Sequence, residues 1–159
     1  MVASSLDMLE ESLIKKREIL EKIQEQNSIQ KEVLKDPENV DESAFDNTVE
    51  AKEELIDRII ALDDGFQTLF DKVKGDLEQD KDRHKDQIRR MQELIQEVTA
   101  LSASIEAEEH RNKKLAEQYF SASRQRMNMS RQTSAVAFNY YKTMNNFKDI
   151  PPQFLDKKN

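Results

Sequence analysis

Two histidines, His84 and His110, are the first residues with chemistry to offer. Glu106 stands one helical turn before His110, so a carboxylate and an imidazole could share a metal ion, but no third ligand follows at a suitable interval. Both histidines sit among charged neighbours, as solvated surface residues do. The chain has no cysteine, which excludes disulfides, thiolate metal sites and thiol nucleophiles together. Its two glycines, Gly65 and Gly75, are ten residues apart in helical context and cannot form a loop that cradles phosphate. Carboxylates are abundant, yet acid–base catalysis needs one of them in a concave pocket of low dielectric, and a slender helical bundle seldom supplies one. No enzymatic activity, no metal and no cofactor is expected.

The other residues that stand out gather toward the carboxyl terminus. Residues 119–159 hold seven of the ten aromatics and three of the six methionines. Leu115, Tyr119, Phe120, Met127, Met129, Val136, Phe138, Tyr140, Tyr141 and Met144 are therefore the candidate partner-binding residues, since methionines and aromatics with few charges suit a surface that packs against a partner helix or peptide. Two competing readings fold residues 120–147 back on this chain's own bundle or pair them in a homodimer. A third uses Arg124, Arg126 and Arg131 with Tyr140 and Tyr141 to bind single-stranded nucleic acid. Charge argues against that one. Residues 1–120 carry 18 Lys/Arg and 30 Asp/Glu, a net −12, whereas residues 121–159 carry 7 and 2, a net +5. The acidic body repels nucleic acid and anionic lipid, so neither is an expected partner.

The elements that position these residues follow from composition and period. Two Gly and three Pro among 159 residues are about 3% of the chain, where average usage is roughly 12%. Folds rich in turns are nearly excluded, and long helices remain. Hydrophobic residues make up only 36%, which fits helices that bury narrow stripes. The fold class is all-α: an elongated antiparallel three-helix bundle, or coiled coil, with a long third helix and a helical or partly disordered carboxyl-terminal extension. Leu6, Leu9, Leu13, Leu20, Ile23 and Leu34 share one heptad frame, interrupted by Lys16, Asn27 and Gln30, and predict a helix over about 5–35. Ser4 and Asp7 offer a capping box at its start, and Pro37 ends it.

After a loop at 36–42, Ser43 and Asp46 offer a second capping box. Phe45, Val49, Leu55, Ile59, Leu62, Phe66, Leu69 and Val73 then predict a helix over about 43–74, with Gly75 marking its end. Residues 78–87 contain no apolar side chain and must be solvated. Ile88, Met91, Leu94, Val98, Leu101 and Ile105 begin a third helix, over about 80–120, whose stripe thins through Glu108 and Asn112 to Leu115 and Tyr119. Asn27, at a core position, is expected to set register. The domain reading is a bundle over 1–120 and a basic, aromatic and Met-rich extension over 121–159. Being longer than its neighbours, the third helix is expected to project its end beyond them. No run approaches the roughly 18 apolar residues of a membrane span and no leader pattern opens the chain, so a cytosolic location without membrane insertion is expected.

Several segments resemble one family. Leu9-Glu10-Glu11-Ser12-Leu13-Ile14-Lys15-Lys16-Arg17-Glu18-Ile19-Leu20, Lys52-Glu53-Glu54-Leu55-Ile56-Asp57-Arg58-Ile59, Leu62-Asp63-Asp64-Gly65-Phe66, and Arg111-Asn112-Lys113-Lys114-Leu115 with Tyr119-Phe120 are similar to the FlgN-like flagellar export chaperones, over about residues 5–145. The resemblance implies a small cytosolic helical chaperone that binds hook-filament junction proteins, the flagellar hook-associated proteins, before type III export. It also implies contacts with the export gate, and it places client binding at Leu115 to Met144. The tail with Ile150-Pro151-Pro152 matches no family motif. The alternative from a different class is a structural coiled-coil adaptor whose helices dimerise in parallel.

Overall fold

The computed structural model describes residues 2–125. Three α-helices follow one another: α1 over Val2–Val33, α2 over Glu42–Gln79 and α3 over Lys85–Gln125, with a single 3-10 turn over Lys81–His84 between α2 and α3. No strand occurs among the described residues. The all-α bundle is what the apolar stripes require. Among the described residues, no helix is long and apolar enough to cross a membrane.

Helix α1 is the central rod. It packs closely along both α2 and α3, whereas the backbones of α2 and α3 stay further apart and meet through long side chains. Two apolar clusters result. One, at the end holding the α1–α2 loop, joins Leu20 and Ile23 of α1 and Leu34 just past its end to Phe45, Ile56 and Ile59 of α2 and to Val98, Ile105 and Tyr119 of α3. The other, at the end holding the 3-10 turn, joins Leu6 and Leu9 to Phe66 and Phe70 and to Met91 and Ile95. Between them sits a Lys16–Asp63 ion pair, with Nζ at 2.8 and 3.0 Å from the two carboxylate oxygens. Burial raises the Asp63 pKa above its ordinary value, outweighing the attraction to Lys16.

Local chemistry sets the helix ends, not always where the sequence suggested. Asp36 organises the α1–α2 loop: its carboxylate accepts from Glu38 N and Asn39 Nδ2, and Asn39 N donates to its carbonyl. Asp41, not Ser43, caps α2, accepting from Ala44 N at 3.2 Å, because the helix begins at Glu42. Ser4 lies inside α1, which already begins at Val2. Gly75 does not end α2; the helix runs on to Gln79, and residues 78–87 are all exposed or half-exposed, as expected. Nor does the end of α3 hang free, since Ala116, Tyr119 and Ser123 are buried.

A Cβ added at Gly65 or at Gly75 meets no atom within 4 Å. Both residues lie inside a continuous helix, where glycine costs about 1 kcal/mol relative to alanine. Gly65→Ala and Gly75→Ala are each expected to raise stability by about 0.5–1 kcal/mol in urea titrations; a loss at Gly75 would contradict the unbroken α2.

Candidate functional site

Where α1, α2 and α3 come together near the loop end, the core is polar. Lys52 of α2 is fully buried, with 0% of its surface exposed. All three of its protons are used: Nζ donates to Asn27 Oδ1 at 2.8 Å, to Gln30 Oε1 at 2.8 Å and to both Glu109 carboxylate oxygens at 2.9 Å. Asn112 Nδ2 donates to the Asn27 carbonyl and to Gln30 Oε1, while its own oxygen accepts from Arg111 Nε. Gln30 Nε2 donates to Thr48 Oγ1, which donates in turn to the Phe45 carbonyl. At the rim, Glu108 accepts from Asn27 and Gln24. Each helix thus contributes to one connected network, and a buried network is stabilising only when its members find partners.

Burial depresses the Lys52 amine to about 8 from its ordinary 10.5, although Glu109 beside it pulls the other way. Sealed from solvent, this amine cannot meet a substrate. What it does is hold register: a shift of α3 by one turn along α1 and α2 would leave Lys52 and Glu109 buried without each other.

One turn beyond the network lies an aromatic end. Tyr119, 5% exposed, packs edge-on against Phe45 with ring centroids 5.5 Å apart, and Phe120 meets the same ring at 5.9 Å. Such pairs add about 0.5–1.5 kcal/mol each beyond their buried area. Leu115 and Phe120 are half-buried against the same cluster. Of the ten candidate partner-binding residues, then, the structure brings together Leu115, Tyr119 and Phe120 and places Tyr119 inside this chain's own core. Met127, Met129, Val136, Phe138, Tyr140, Tyr141 and Met144 lie outside the described residues.

The other candidate chemistry is dispersed. His84 is half-exposed and His110 exposed, and the described residues contain no group of three or more His, Cys, Asp or Glu that could hold a metal ion. At the opposite end, Arg90 and Gln87 bind Glu10, and the Arg90 guanidinium holds the Glu10 carboxyl below its usual range. An open groove of about 510 Å³ between α1 and α2, lined by Met8, Lys15, Asp64 and Gly65 among others, carries both signs of charge.

Sequence reading noticed Asn27, Gln30 and Asn112 as breaks in the apolar stripes but did not see that they meet. It missed Lys52 and Glu109. The signal was present at Lys52, because the stripe jumps from Val49 to Leu55 and position 52 falls on the buried face in between. Fold and site together define an all-α three-helix bundle locked by a buried polar layer. Comparison of the chain with protein-family models, with curated proteins and with solved structures returned no match.

Lys52→Met leaves Glu109 buried without its cation and is expected to cost about 3–5 kcal/mol in urea unfolding. Lys52→Met with Glu109→Leu is expected to recover most of that loss; a double variant as unstable as the single one would contradict the pairing. A second outcome follows from linkage. A folded-state pKa below the unfolded value means that the folded chain sheds this proton first, so the lysine's contribution to stability rises between pH 8 and 10.5. The stability difference between the parent chain and Lys52→Met should therefore grow in the parent's favour over that window, as read by urea titration at each pH.

Proposed function

We propose that this chain is a protein-binding bundle that acts as a flagellar export chaperone, covering a helical terminal segment of hook-associated proteins so that they do not assemble before secretion. The single observation that carries this reading is the contrast between two parts of one chain. A closed acidic bundle, net −12 through residue 120, precedes a basic stretch of net +5 that concentrates methionines and aromatics. Acidic rods of this kind stay soluble and avoid nucleic acid, while the apolar side chains that follow α3 are the kind that anchor a protein interface. The resemblance of segments in α1, α2 and α3 to the FlgN-like chaperones supplies the client class.

Energetics set how many anchors are needed. A micromolar complex corresponds to about 8 kcal/mol, and each fully covered aromatic contributes roughly 1.5–3 kcal/mol from area. Several anchors are required once association costs are met, and the residues from Phe120 to Met144 contain enough. The cytosol, where a client waits before export, is the location this function requires.

The cut that separates bundle from binding segment belongs after Gln125, since a cut after Glu117 would also strip Tyr119 and Phe120 from Phe45. A chain truncated after Gln125 is expected to keep the circular dichroism and cooperative melting of the bundle while its capture of hook-filament junction proteins in a pull-down falls at least about tenfold. Undiminished capture would remove this placement of the site.

A further inference from the structure

Helix α3 is held in two very different ways along its length. Its first half is fastened by apolar side chains, with Met91, Leu94, Ile95, Val98 and Ile105 all buried. Beyond Ile105 the buried positions are Glu109, Asn112, Ala116, Tyr119 and Ser123. Only one of these is a large apolar residue. The second half is attached by the polar layer around Lys52, by Ala116 and the half-buried Leu115 in the apolar cluster, and by the Tyr119 and Phe120 contacts on Phe45. Polar groups leaving such a layer regain hydrogen bonds to water, so separating them costs less than exposing an equal apolar area. The backbones of α2 and α3 are also the pair that stays apart, so the second half of α3 leans on α1 and on side-chain tips of α2.

We propose that residues 106–125 form a detachable arm, and that the α1–α2 groove beneath it accepts an amphipathic helix of a partner protein bearing a carboxylate about ten residues before an aromatic. The groove defines its occupant through the segment that now fills it. Lys52 Nζ demands an anion at the level of Glu109, and the Phe45 ring demands an apolar or aromatic group at the level of Tyr119. Glu109 and Tyr119 are ten residues apart, about 15 Å along a helix at 1.5 Å per residue. A partner helix without the carboxylate would leave the Lys52 ammonium, still hydrogen-bonded to Asn27 and Gln30, buried without a counter-charge, so the layer that locks α3 also selects what replaces it. Opening also frees Tyr119 and Phe120, joining them to the binding segment that follows. This deepens the chaperone reading and rests on it: residues after α3 capture the client, and the vacated groove holds a helix of it.

Native-state hydrogen exchange on the full chain tests the arm without any variant. Amides of residues 108–125 are expected to exchange at least about tenfold faster than those of residues 91–105, through an opening that does not expose the rest of the bundle. Equal protection along all of α3 would overturn the proposal. Anisotropy of a fluorescein-labelled peptide with the sequence of residues 105–125 tests the groove, using the full chain carrying Tyr119→Ala so that its own arm competes less. The peptide is expected to bind, and to bind at least about tenfold more weakly when its Glu109 is replaced by Lys. No binding, or equal binding by the two peptides, would overturn the groove's selectivity. Because the probe is the chain's own helix, failure of the arm and groove in these two measurements is distinguishable from failure to capture hook-associated proteins in the pull-down.

Discussion

One ammonium group organises this bundle. Lys52 Nζ lies where the three helices converge and reaches two carboxamides on α1 and a carboxylate on α3. Taking a lysine and a glutamate out of water costs several kcal/mol per ion, and that cost is offset only when the geometry satisfies both. A leucine layer would tolerate helices sliding past one another by a turn; this layer does not. Asn27, Gln30 and Asn112 extend the same constraint, since each makes at least one hydrogen bond across to another helix. Uniqueness of register, more than extra stability, is what such a network gives a protein whose apolar content is low.

The constraint also distributes stability unevenly. Apolar clusters at the two ends are separated by the Lys16–Asp63 pair, and the loop-end cluster is itself interrupted by the Lys52 layer. Helix α1 packs along both other helices. Helix α3 changes character at Ile105, from an apolar seam to a polar one capped by aromatics. Such an asymmetry lets a rigid platform and a looser edge coexist in one small domain.

The architecture was legible in the sequence because helix periodicity is a local signal that scarcity of glycine and proline leaves uncontested. Leu6, Leu9, Leu13, Phe45, Val49, Met91 and Val98 all lie on the buried faces their spacing predicted. The boundaries were less legible. Asp41 takes the cap that Ser43 was expected to provide, and Gly75 sits mid-helix because packing by Val73 and Leu77 outweighs one glycine's preference. The polar layer was half legible: Lys16, Asn27, Gln30 and Asn112 appear as faults in the stripes, but a fault on one helix does not reveal its partner on another. Glu109 is one of several glutamates near the end of α3, and only the three-dimensional phase of that helix separates it from Glu106 and Glu108. Of the candidate binding residues, Tyr119 belongs to the chain's own core, a role that a large aromatic on a helical stripe signals as readily as an exposed one.

Lys52 holds the three helices in register only as a buried, hydrogen-bonded ammonium, and nitrogen-15 NMR of lysine side chains reads that state directly. The prediction is an Nζ resonance protected from exchange with water that titrates with a midpoint near 8, well below the ordinary lysine value. A Lys52 signal that exchanges freely and titrates with the others would contradict the buried layer and everything built on it.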